Sequence, residues 1–405
     1  MDEDAPLAEA LAVRGDRILA VGADADIAVY SGPETQTIRI PAGRLVIPGF
    51  IEGHGHFLSL GQSRMVLDLT TAKKWQDIVD QVAEAARNTP PGTWIVGRGW
   101  HQNKWQGVPE QQVEGYPVHR ALSVVSPVHP VLLGHASGHM SMVNAKAMEL
   151  AGLDSETKAP QGGEILRDAS GNPTGVLREN AMGLVSRVYG RSQNQRSDEQ
   201  KKKDLYAAIE LAGRECVEHG VTSFQDAGTS YSMVDVYKQL ADQGKLPVRL
   251  WIMLSESNDA LARRMHEYRT TGYGNNFVTV RAIKRLLDGA LGTHGAWLLE
   301  PYEDLPSSTG LNTLPLESLQ RTAELAAKGD YQLCVHAIGD RANREVLNIF
   351  EQACKNVPNN KNLRWRVEHA QHLSPEDIPR FGQLGVIASM QAIHCTSDAP
   401  YVVQR

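Results

Sequence analysis

Two histidines separated by a single glycine, His54-Gly55-His56, close the apolar run Leu45-Val46-Ile47-Pro48-Gly49-Phe50-Ile51. In an extended strand, residues two apart project from one face, so both imidazoles can aim at a single point near the strand's end, a geometry suited to binding a metal ion. Gly53 and Gly55 lack a Cβ, which permits a sharp turn and close approach of an ion or substrate. By itself such a pair also suits a surface strand. What singles it out is that later strands end the same way, in Lys284, His336 and His369.

The elements that must carry these residues can be read from periodicity. From residue 197 onward, strand and helix signals alternate. Ser197 and Asp198 start a helix with an apolar stripe at Leu205, Ile209, Ala212 and Cys216, and Gly220 stops it. Strands are expected at 221–224, 248–254, 278–284, 332–336, 363–369 and 386–391, with helices over 232–243, 259–269, from Pro315, after Asp340 as cap, and from Pro375. With the His54 strand this makes seven β/α units, which fits an α/β fold: a (β/α)8 barrel of the TIM type lacking its eighth unit. The polar residues fall at the C-terminal ends of the strands, the rim on which such barrels build their active sites.

Outside the barrel, taken as residues 48–59 and 196–405, two further regions are expected. Residues 1–47 carry short strand patterns, including a hairpin around Arg14-Gly15-Asp16, Ile27-Ala28-Val29-Tyr30 and Thr37-Ile38-Arg39-Ile40, and read as a partial β-sandwich subdomain. Residues 60–195 open with a helix over 75–87 but show no regular alternation, and read as a large insertion covering the active site.

Composition narrows the function. With 405 residues and a net charge of −6, the chain offers no basic footprint for nucleic acid or an anionic membrane. A small-molecule ligand is the expected partner; nothing fixes the oligomeric state. Cys216, Cys334, Cys354 and Cys395 are too scattered for a disulfide framework or a thiolate zinc site. Met1-Asp2-Glu3-Asp4 has the wrong charge for a secretory leader, so a cytoplasmic location is expected.

Taken together, four blocks resemble the amidohydrolase superfamily: His54-Gly55-His56 after Pro48-Gly49-Phe50; Lys284-Arg285-Leu286-Leu287-Asp288-Gly289; Val335-His336-Ala337-Ile338-Gly339-Asp340; and Val367-Glu368-His369-Ala370-Gln371. More narrowly, they resemble its family 3 branch, which includes YtcJ-like proteins and N-substituted formamide deformylases. Gly97-Arg98-Gly99-Trp100 and Gly138-His139-Met140-Ser141-Met142-Val143-Asn144 are similar to that branch's blocks between the first two barrel strands.

The resemblance implies a metal-dependent hydrolase of non-peptide amide bonds that uses metal-activated hydroxide. His54, His56, His336 and His369 would be ligands to one or two divalent ions, and neutral imidazoles suit zinc. Lys284 would carry a CO2-derived carbamate bridging two metals; the plainer reading is a salt bridge to Asp288 or Glu368. Trp100, Trp105, His139 and Asn144 would line the substrate pocket, or simply pack. Asp340 either orients a ligand or caps its helix.

One feature of the family pattern is missing. An aspartate after the eighth strand is expected as a further ligand and as the general acid and base, and Asp398 follows the seventh strand too soon to be that residue. Two readings therefore stand: an amidohydrolase whose last unit is lost from this sequence, or a noncatalytic remnant with a partial metal site that acts by binding.

Overall fold

The computed structural model describes residues 7–355 and 363–405. The residues Met1-Asp2-Glu3-Asp4 and the side chain of Cys354 lie outside that description. The chain forms two compact units, divided after Pro48.

In the first unit, strands Ala10–Arg14 and Arg17–Gly22 pair antiparallel around Gly15, whose φ of +59° suits the tight turn. The other two expected strands do not form. Asp24–Ala28 is a short helix with Asp24 and Asp26 in its first turn, and the Asp24 N–H donates to Glu9 Oε2 at 3.0 Å. Residues 37–40 are irregular, and Ile38 is 73% exposed. An apolar alternation makes a strand only where a neighbour accepts its hydrogen bonds, and among the described residues none is there. Among the described residues, the region expected to be a β-sandwich over 1–47 holds one hairpin and a short helix.

The second unit contains seven parallel strands in a nearly closed barrel: Phe50–Gly55, Val221–Thr229, Arg249–Leu254, Val278–Leu286, Gln332–Ala337, Arg366–His369 and Ile387–Ser389, neighbours in that order. The fourth also pairs with the short antiparallel strand Thr270–Gly272. Helices Asp198–Glu218, Tyr231–Asp242, Asn258–Tyr268, Leu316–Lys328, Asp340–Cys354 and Ile378–Leu384 connect or precede the strands. The first three begin alike, with Ser197, Ser230 and Ser257 accepting a hydrogen bond from the backbone three residues on. Their apolar stripes join the outward faces of the strands in one large core, from Phe57 and Ile209 to Val367 and Phe381. Asp340 opens its helix but does not cap it: Gly339 is the cap, and the Asp340 carboxylate accepts from the Leu299 and Arg341 N–H groups, pinning a loop.

Residues 67–179 build a second, mixed sheet of six strands in the order Gly163–Arg167, Pro173–Glu179, Met140–Val143, Val131–His135, Ile95–Trp100, Leu67–Asp68. Its irregular spacing of strands hid this sheet from periodicity. Alternation decides its two faces. Ile95, Val131, Leu133, Met140 and Met142 pack in a core, the intervening Arg98, Gly134 and Ser141 face the other way, and a register shift at Gly99 (φ +103°) returns Trp100 to the core side. Among the described residues no helix is long and apolar enough to cross a membrane.

The helix Phe57–Ser63, which follows the two histidines, is seated by Gly61 against the long helix Asp198–Glu218: a Cβ at position 61 would overlap the Ala208 backbone carbonyl. Gly61→Ala is expected to destabilise the protein by about 1–3 kcal/mol, because backbone cannot yield as a side chain can. Gly190→Ala, in a helix with open space around it, is expected to be neutral or stabilising by about 0.5–1 kcal/mol. Urea unfolding midpoints for the two variants check this; equal midpoints would show that the Gly61 contact does not hold the helix.

Candidate functional site

Alternation along the barrel strands places the polar residues one step above small apolar ones. Ala227, Met253, Ala282 and Cys334, one each from the second to fifth strands, form a separate buried cluster. Two residues further along the same face come Lys284 after Ala282 and His336 after Cys334. On the sixth strand Arg366 and Glu368 share a face in the same way, with Arg366 level with Cys334 and Glu368 level with His336.

Arg366 and Glu368 form a desolvated ion pair, with Nε to Oε1 at 2.5 Å and an η nitrogen to Oε2 at 2.8 Å, and Glu368 wholly buried. Arg366 also donates to Gln225 and to the Gly53 carbonyl at 3.1 Å, tying the sixth strand to the second and first across the barrel interior. Glu368 Oε2 meets His54 Nδ1 at 2.5 Å. Burial alone would raise the Glu368 pKa, but hydrogen bonds from His54 and Arg366 outweigh it and hold the carboxyl far below its usual range. The carboxylate fixes the imidazole ring and turns His54 Nε2 toward Lys284 Nζ, 3.4 Å away.

The expected histidines come together here. The His369 ring lies 4.6 Å from His54 and 4.6 Å from His336, and His56 stands edge-on to His54 at 5.8 Å. Strict alternation would send Glu368 and His369 to opposite faces. Instead the backbone turns left-handed at His369 (φ +74°) and Ala370 (φ +42°), ending the strand and swinging the ring into the cluster. His394, from the helix after the seventh strand, stacks on His369 at 5.3 Å and was not expected from the sequence. Burial is the first cause that lowers the pKa of His54, His56, His336 and His369, with His56 down to about 3; Lys284 adds to it in each case, and Arg98 contributes at His56. All four imidazoles are therefore uncharged near neutral pH.

Lys284 is only 2% exposed, and burial lowers its pKa to about 8. The salt bridge that would explain it plainly does not form. Glu368 is taken by Arg366 and His54, and Asp288 accepts three backbone N–H groups, from Trp297, Ile338 and Gly339. Clustered rings are not yet a coordination sphere, however. Among the described residues no group of three or more His, Cys, Asp or Glu could hold a metal ion as placed. Each ring has one nitrogen on a neighbouring group: His54 Nδ1 on Glu368, His369 Nδ1 2.6 Å from Gln391 Oε1, and His336 Nε2 3.3 Å from the Gly289 carbonyl.

Above the rim, the six-stranded sheet walls a cavity of about 1550 Å³ whose lining includes His56, Lys284, Arg98, His139 and Glu179. His139 Nδ1 bonds Glu179 Oε2 at 2.8 Å, and its ring is 4.9 Å from His336. Glu179 was not expected from residue patterns. It sits 5% exposed at the end of its strand with φ +49°, its Oε1 is buried without a hydrogen-bond partner, and it occupies the space that a Cβ at Gly289 or Gly295 would fill. A buried carboxylate at a strained backbone is the signal that could have found it, and only coordinates carry that signal.

The other expected pocket residues do not reach the cavity. Trp100 is fully buried with Nε1 on the Leu133 carbonyl at 3.0 Å, and Trp105 stacks on it. Asn144 is fully buried as a helix cap, its amide satisfied by Ser126, His129, Val131 and Ala147. Asp398 lies on the helix Ile393–Asp398, bonded to Gln371 and Tyr401.

A family model described as "Amidohydrolase family" matches residues 41–405. The chain belongs to the amidohydrolase family. Among its relatives, the protein LONG AFTER FAR-RED 3 of Arabidopsis thaliana is 30% identical over the whole of this chain and 68% of its own length. The putative amidohydrolase YtcJ of Bacillus subtilis is 31% identical over 93% of this chain and 68% of its own. The N-substituted formamide deformylase of Arthrobacter pascens is 26% identical over 94% and 68%. The solved structure of an uncharacterized metal-dependent hydrolase from Pyrococcus furiosus shares the fold, with a TM-score of 0.64 and 24% identity over 98% of this chain and 75% of that one. For this amidohydrolase the YtcJ-like description therefore holds, and the family makes it a hydrolase.

The Arg366–Glu368 pair generates a stability prediction. Arg366→Met leaves a buried carboxylate facing only His54 and is expected to cost about 3–5 kcal/mol, far more than an exposed ion pair. Arg214→Met, which breaks the exposed pair with Glu210, should cost less than about 0.5 kcal/mol. Thermal or urea unfolding of both variants compares the two.

Proposed function

We propose that this amidohydrolase hydrolyses carbon–nitrogen bonds in small, non-peptide amides with the help of one or two divalent ions held at the barrel mouth. Lys284 carries the proposal. It is an amine sealed beside four uncharged imidazoles, and it has no carboxylate partner among the described residues. Burying such a group is costly unless it is put to use. The name of one relative, an N-substituted formamide deformylase, supports the choice of bond.

The residues present fit a borderline cation in donor type and proximity, although the donor atoms rest on neighbouring groups in this structure. His54, His56, His336 and His369 would hold the metal, zinc being the ion this donor set suits. Lys284 would join them as a carbamate: its neutral amine adds to CO2, forming a carbon–nitrogen bond and releasing one proton, and the product offers anionic oxygens in place of an ammonium. A bound divalent ion supplies two things, a lowered pKa for water and a polarised carbonyl.

The chain's own groups supply the rest. Glu368 holds His54 in one orientation through Nδ1, as an orienting carboxylate does for a ligating histidine. Glu179 holds His139 the same way, leaving Nε2 without a partner among the described residues and on the cavity wall. There it is placed to bind the amide or to exchange a proton with its nitrogen. The six-stranded sheet covers the rim and limits access of bulk water.

Metal analysis together with amine release from N-substituted formamides tests the proposal. The protein as purified is expected to contain divalent metal and to turn these substrates over, and His336→Ala or His369→Ala should lose both. Carbon-13 bicarbonate should produce a carbamate carbonyl resonance that Lys284→Ala abolishes. Unchanged metal content in the histidine variants removes them from the ligand set. Metal bound without turnover would favour the noncatalytic binding protein instead.

A further inference from the structure

The cavity wall carries a cation that neither the fold nor the proposed chemistry uses. Arg98, Arg196, Lys201, Lys284, Arg285 and Arg321 all line the chamber. Arg196 pairs with Asp204, Lys201 with Asp198 and Arg321 with Asp259. Arg285 is consumed by Thr322, Asn258 and two backbone carbonyls. Lys284 faces His54. Of these six, only Arg98 has a charged head with no hydrogen-bond or ion-pair partner among the described residues. Asp68, its neighbour in register on the edge strand, keeps its carboxylate on Thr70.

The sheet register shows what surrounds it. Arg98 is level with Gly134 on the next strand, and Gly134 with Ser141 on the one after. Residues level across neighbouring strands project from the same face, so guanidinium, gap and hydroxyl lie in one row. A Cβ on Gly134 would stand 3.8 Å from Arg98 Cγ and would meet nothing closer, which confirms the shared face and the open space between the two side chains. Ser141 is 3% exposed, lines the same cavity, and its Oγ is buried without a partner. A free guanidinium and an orphaned hydroxyl flanking a glycine gap make up two-thirds of an unfilled hydrogen-bonding site.

We propose that Arg98 and Ser141 form a carboxylate subsite, so that the amide hydrolysed in this chamber carries a carboxylate. The planar guanidinium presents paired N–H donors that match a carboxylate bidentately, and the Ser141 hydroxyl adds a third. Glycine at 134 leaves the room that a side chain would fill. The subsite lies on the same wall as His139 and shares the cavity with His56 and Lys284, so one small molecule can span subsite and reacting centre. This inference rests on the amide-hydrolase reading for its reaction but not for its binding.

The test uses N-formylglycine, N-formyl-β-alanine and N-formyl-4-aminobutyrate, each beside its neutral carboxamide, with formate release and calorimetric binding both measured on the full chain. At least one acid is expected to be bound, and used, on the order of ten- to a hundred-fold better than its carboxamide. Arg98→Gln should erase that preference, Arg98→Lys should restore part of it, and Ser141→Ala should weaken it. Arg98 is exposed, so a melting curve will confirm that its variants stay folded. Turnover of acids and carboxamides alike, or a preference that survives Arg98→Gln, overturns the subsite and leaves the hydrolase reading intact. An Arg98-dependent preference in binding without any formate release sustains the subsite and removes the hydrolase reading. Binding of none of the acids overturns the subsite.

Discussion

The candidate site depends on one ion pair that water cannot reach. Arg366 and Glu368 neutralise each other inside the barrel, and their remaining hydrogen bonds reach the first two strands: the guanidinium to Gln225 and the Gly53 carbonyl, the carboxylate to His54. A buried carboxylate so occupied has nothing left for Lys284. The amine is therefore left without a bonded carboxylate, and burial lowers its basicity, with the Arg366 charge a small addition. Histidine orientation and lysine isolation are two outcomes of the same pair.

A second constraint comes from combining two sheets. The barrel supplies the cluster of imidazoles and its lysine; the mixed sheet supplies a wall whose faces are separated by simple alternation, apolar toward Trp100 and polar toward the chamber. Neither sheet alone makes a cavity. Glu179 makes one of the contacts between them, held against two glycines of the barrel's fourth loop, which explains why those positions carry no side chain.

The barrel was legible because its strands and helices keep their own periods: every parallel strand from Val221 to Ser389 was expected close to where it lies, as was the serine-capped start at Ser197, while the short antiparallel Thr270–Gly272 was not. So was the placing of His54, His56 and His336 at strand ends, since period-two alternation fixes where such side chains point. Three things were not legible. Residues 27–40 carry strand-like composition, but pairing depends on partners that a local window does not contain. His369 reaches the cluster through a left-handed backbone, which no side-chain pattern announces. Glu179 and His394 come from segments remote in sequence, and Trp100 and Asn144 looked like pocket residues because aromatic and amide side chains serve cores and caps equally well.

The wedge that Glu179 makes also bears on how the chamber selects what it holds. Its carboxylate is lodged between Gly289 and Gly295 at one side and bonded to His139 on the other, so roof and floor are latched where they meet. Larger side chains at either glycine would push that edge apart, so the breadth of the chamber there is set by the absence of two methyl groups.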